Sequence, residues 1–135
     1  MVLPGIQALF GFQLTVVFQP AFSEKLSAAQ QHLHLAAIGL LALSIALVMS
    51  PAAYHRQTDP LEVTAHFIRV ATRLLIASMG PLAISLCIDF YLVGQVIYSG
   101  LLIPILATAL FAIIVLLWFV IPRVHALKWL IAGRQ

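Results

Sequence analysis

Few residues in this chain could do chemistry, and Asp89 is the most conspicuous of them. Fifteen apolar or small residues, Leu74 to Ile88, separate it from Arg73. On a helix that places the carboxylate about 24 Å along the axis from the arginine, at roughly 1.5 Å per residue. A carboxylate so deep in apolar text is costly in lipid and often functional. The chemistry it suggests is proton or cation binding. The plainer reading is a carboxylate facing water beside Tyr91 and Gln95. Gln7, Gln13 and Gln19 are the next candidates, spaced six residues apart. Six helical steps turn about 240°, so the three do not share one face. Gln13 and Gln7 join Asp89 as ion- or proton-binding candidates, each able instead to bond a neighbouring helix.

A second group carries positive charge. Tyr54, His55 and Arg56 form one cluster, and Arg69 and Arg73 lie one helical turn apart further on. Paired arginines suit phosphate, so an anion or lipid-headgroup site is the functional reading. Topology anchoring, with a salt bridge to Asp59 or Glu62, is the alternative. The five histidines do not read as a metal or haem centre. His32 and His34 point to different sides of a helix, and no cysteine or clustered carboxylate joins them. Cys87 is the only cysteine, so no intrachain disulfide can form, and a small packing role is expected. No nucleophile motif, phosphate loop or acid pair is present, and no enzyme activity or cofactor is expected.

The elements that must position these residues are membrane helices. The chain has 135 residues, of which 63% are hydrophobic and 8% charged, with a mean hydropathy of +1.10. Soluble domains carry about 25% charged residues, so a polar shell cannot be built here. Seven basic residues scattered through apolar text make no nucleic-acid surface. The expected fold is all-α: a single-domain integral membrane antiparallel four-helix bundle. Helices are predicted over 4–22, 33–54, 61–94 and 101–121. Pro4 suits a first helical turn and Pro20 ends the first helix. The first helix is expected to be retained rather than cleaved as a signal peptide, since no Lys or Arg precedes it.

Ser23 to Gln31 reads as a polar loop, and Pro51 as a bend or end of the second helix. Asp59-Pro60, with Glu62 following, signals the start of the third, and Gly80-Pro81 predicts a kink in it. Ala42, Ala46 and Ser50, and likewise Ala77, Pro81 and Ser85, form small-residue stripes where helices could approach closely. The tail 122–135 alternates apolar and basic residues. It reads either as an interfacial amphipathic helix or as an extension of the last span.

Six of the seven basic residues fall on one side of such a bundle: Arg56, Arg69, Arg73, Arg123, Lys128 and Arg134. Lys25 alone falls on the other. That asymmetry places both termini in the cytoplasm.

The stretch Pro51-Ala52-Ala53-Tyr54-His55-Arg56 resembles a family of small bacterial four-helix membrane proteins known only as a domain of unknown function. The opening GIQALFGFQLTVVF also matches, with the short loop after Pro-Ala-Phe. So do the Arg69-x-x-x-Arg73-Leu74 start of the third helix and Asp89 near its far end. The resemblance spans nearly the whole chain and implies the topology, without an activity. The leading expectation is an accessory subunit packing in a larger membrane complex or a homo-oligomer, with lipid and membrane-protein subunits as partners. A small channel or proton-coupled transporter using Asp89 is the alternative. A lipid- or quinone-binding protein comes third.

Overall fold

The computed structural model describes residues 3–58, 64–98 and 100–124. Its elements in chain order are α1 (Leu3–Val17), α2 (Pro20–Lys25), α3 (Ala28–Thr58), α4 (Ala65–Ile97) and α5 (Leu102–Val115). A wide π-type turn, Leu116–Val120, carries α5 on to Val124. No strand occurs among the described residues. Three helices are long and apolar enough to cross a membrane: Ala28–Gln57, Ala65–Ile97 and Leu102–Val124.

Local chemistry explains where the helices begin and end. α1 stops at Val17, short of the expected Phe22, because the chain turns at Phe18 and Gln19. Pro20, which lacks an N–H, then opens the short α2. The expected loop from Ser23 to Gln31 is mostly helical instead. Ser27 caps α3 reciprocally with Gln30: its backbone N–H donates to Gln30 Oε1 at 2.8 Å, and its Oγ accepts from Gln30 N at 3.4 Å. This is a capping box, satisfying two donors that the first turn would leave orphaned. Pro51 does not end α3, which continues through it to Thr58. The Thr64 hydroxyl caps α4 by accepting from Phe67 N at 3.2 Å. Asp59, Pro60 and Glu62 lie outside the described residues, as does the tail from 125 to 135.

α3 and α4 form an antiparallel pair along their whole length. Contacts step evenly, with His34 facing Asp89, Ala37 facing Ser85, Ser44 facing Ser78 and His55 facing Phe67. The buried seam of α3 is His34, Ala37, Leu41 and Ser44, alternating steps of three and four. The seam of α4 includes Ser78, Ser85 and Leu92, seven apart. A seven-residue spacing keeps two helices in register over several turns. Ser44 and Ser85 each donate across the interface to a backbone carbonyl, both at 2.9 Å. Of the first small-residue stripe, Ala42 and Ala46 point outward and Ser50 is half-buried; of the second, Ala77 is exposed and Pro81 half-buried, while Ser85 is fully buried against α3. Small size at this spacing decided the packed face only in part.

α5 folds back against α4 at a close approach. A Cβ added to Gly94 would lie 2.6 Å from Ile103 Cγ2, so only glycine admits that side chain there. Ile103 is the only buried residue of α5. Most of its other large side chains are exposed and apolar.

Candidate functional site

The buried seam of α3 and α4 carries a polar cluster at one end, completed by α1. Gln13 comes from α1, His34 from α3, and Ser85 and Asp89 from α4. Gln13, His34 and Ser85 are 4%, 6% and 0% exposed. Polar groups buried this deeply must bond one another. The Gln13 amide Nε2 donates to Ser85 Oγ at 3.2 Å and also to Asp89 Oδ2. Ser85 Oγ in turn donates to the Ala37 carbonyl at 2.9 Å. One amide group thus ties α1 to the acid on α4.

His34 completes the set. Its Nε2 lies 3.1 Å from the Gln13 backbone carbonyl. A carbonyl only accepts, so Nε2 bears the hydrogen. The other ring nitrogen, Nδ1, lies 3.6 Å from Asp89 Oδ1. In a neutral ring with Nε2 protonated, Nδ1 presents a bare lone pair. Two lone pairs facing each other at low dielectric repel, and one proton placed on either group turns that repulsion into attraction. The geometry suits a pair holding one labile proton, as imidazolium with carboxylate or as neutral imidazole with carboxyl. The Phe22 and His34 rings meet edge to face, with centroids 5.3 Å apart and planes at 61°.

Two acceptors in the cluster are buried without a hydrogen-bond partner, Gln13 Oε1 and Asp89 Oδ1. Beside them lies a cavity of about 420 Å³. Leu9, Phe12, Val16, Phe22, Leu92 and Val96 supply apolar wall, and Gln13, His34 and Asp89 supply the polar part. Gln19 and Lys25 also border it. A second cavity of about 400 Å³ lies between α4 and α5, lined by Cys87, Tyr91, Thr108 and apolar neighbours. Among the described residues no group of three His, Cys, Asp or Glu side chains could hold a metal ion.

The structure brings two of the sequence candidates together, Asp89 and Gln13, and leaves Gln7 exposed and outside the cluster. It adds His34 and Ser85. No lysine, arginine or histidine lies near Asp89 in the sequence. The His34 that faces it belongs to another helix. The signal that could have found it is periodicity, since His34 falls in step with Ala37, Leu41 and Ser44.

The basic end is different. Tyr54 stacks on Phe67, with centroids 6.3 Å apart and planes at 8°, and His55 lies 5.0 Å from the same ring. Arg56, Arg69 and Arg73 are exposed, and Arg69 Nε turns back to the Ala65 carbonyl of its own helix at 3.4 Å. The partners expected for these arginines, Asp59 and Glu62, lie outside the described residues.

Comparison with known proteins places the chain. Residues 1–122 match a family of unknown function, DUF6328. The chain belongs to that family. Among curated proteins and among solved structures, no match was found. Membership in DUF6328 brings no activity with it, so the functional reading rests on the site itself.

Proposed function

We propose that this is an integral protein of the bacterial inner membrane, a four-helix antiparallel bundle that moves protons through Asp89 and His34 as a small proton-coupled transporter or channel. The observation that carries this reading is the Gln13–His34–Ser85–Asp89 cluster, three of whose side chains are buried and the fourth, Asp89, half-buried. A carboxylate inside an apolar bundle is expensive, and such groups mark ion or proton pathways. Here the cost is offset by an amide donor and by a base that can share the proton.

The proposed orientation follows the arginines. Because α3 and α4 are antiparallel and α5 folds back on α4, Arg56, Arg69, Arg73 and Arg123 fall at one end, with Lys25 at the other. The arginine end is the cytoplasmic one. α1 has 15 residues, about 22 Å of helix. It is the shortest of the four crossings, and its N-terminus points toward the cytoplasm.

Reconstitution in liposomes tests the reading. Under an imposed proton gradient the wild-type chain dissipates it, and Asp89→Asn falls to the rate of empty liposomes. Full flux through Asp89→Asn would overturn the mechanism. A second reading is favoured by α5, whose exposed apolar side chains suit a protein partner as well as lipid. On that reading the chain is an accessory subunit or self-associates, and it comes out of mild detergent as a defined oligomer or with a partner. A clean monomer in native mass spectrometry counts against it.

A further inference from the structure

The cavity beside Asp89 asks for a ligand of particular chemistry. Its volume, about 420 Å³, falls in the range of small-molecule sites. Its wall is apolar except at Gln13, His34 and Asp89 and at the bordering Gln19 and Lys25. Phe12, Val93 and Ile97 on that wall are 72%, 61% and 80% exposed, so the cavity opens sideways onto the apolar outer surface rather than along the helix axis. A ligand arriving there comes from the lipid phase.

The polar end needs donors. Gln13 Oε1 and Asp89 Oδ1 are buried acceptors without partners. His34 Nδ1 becomes a third acceptor whenever its proton leaves, because Nε2 is committed to the Gln13 carbonyl. Three acceptors, one of them charged, match the three N–H groups of a primary ammonium. Phe12 and Phe22 line the same cavity, and aromatic rings attract cations. At the cluster, an anionic head such as a carboxylate would face the ionised Asp89.

We propose that this cavity binds a lipophilic primary ammonium, which exchanges with the proton shared by Asp89 and His34. The inference rests on the proton-carrying reading of that pair and names what the proton is traded for. One proton leaves the pair as one ammonium enters, so the net charge of the site is unchanged. His34 is then neutral, Asp89 is ionised, and the ammonium is the counter-ion. The charged groups around the site are Asp89 on α4, His34 on α3 and Lys25 on α2; α1 contributes none. Lys25 is exposed and like-charged to the ligand, so it weakens rather than anchors the complex.

The test is calorimetric titration of octylammonium into the protein in lipid nanodiscs, with empty nanodiscs subtracted. Measurement in two buffers of different ionisation enthalpy counts protons released. Wild type is expected to bind saturably and release about one proton per ammonium, while octanol shows no saturable binding. Asp89→Asn should weaken octylammonium at least tenfold, and Lys25→Gln should bind as tightly as wild type or tighter. Val93→Trp fills the cavity mouth and leaves the four cluster residues in place in the sequence. It should lose octylammonium while keeping the infrared carboxyl signal that Asp89→Asn removes. Equal binding of octylammonium by wild type and Asp89→Asn, equal binding by Val93→Trp, or binding without proton release overturns the ammonium site. Absence in wild type of any pH-dependent infrared change at both Asp89 and His34 overturns the underlying proton reading instead.

Discussion

At the end of the α3–α4 pair where His34 lies, polar side chains are buried and bonded to one another across three helices. At the end where Arg56 lies, the arginines are exposed, and Arg69 bonds back to its own helix. The first end has few polar atoms, each with high stakes, because an orphaned group at low dielectric costs far more than one in water. The second end has more charge and less at stake, because exposed charges are solvated and screened. Count of charged residues is therefore a guide to topology here, while burial is the guide to chemistry.

Several substitutions would sharpen or break this contrast. Gln13→Leu removes the amide that donates to both Ser85 and Asp89. Its expected cost is about 2 kcal/mol, the scale of a hydrogen bond to a charged group. Equilibrium unfolding in mixed detergent micelles reads it, together with loss of proton flux. Ser85→Ala breaks the bond to the Ala37 carbonyl and one of the two Gln13 contacts. It should cost about 1 kcal/mol, the scale found for interhelical bonds in membranes, in the same unfolding measurement. The double variant Arg69→Ala with Arg73→Ala should change stability by less than about 0.5 kcal/mol and leave flux intact. It should also lose co-purifying anionic lipid if those arginines hold headgroups. Were the arginine pair as costly as Gln13→Leu, the two ends would not differ in the way described.

The three long apolar helices were legible because uninterrupted apolar text of that length has few other uses. Asp89 was legible for the same reason, as the one carboxylate in such a stretch. The first helix was misjudged because an apolar run says little about where the backbone turns, and the turn at Phe18 and Gln19 has no glycine to announce it. The start of α3 was readable in Ser27-x-x-Gln30 but was masked by the polar composition around it. The faces of α3 were harder. Apolar residues surround that helix on all sides, so no hydrophobic stripe distinguishes Ala42, which is exposed, from Leu41, which is fully buried. His34 could not be paired with Asp89 from the sequence because helix-to-helix register is a property of packing, and packing was the missing quantity.

The even stepping of partners along α3 and α4 has a mechanical consequence. Sliding one rod past the other by a single residue would pull the hydroxyls of Ser44 and Ser85 off their carbonyl acceptors together, at sites two helical turns apart. The two rods consequently behave as one stiff spar, and whatever motion the protein makes must fall to the segments leaning on it. Spin labels on Leu43 and Ile84 would then keep a constant separation through any working cycle, while a label on Phe12 would change its distance to both.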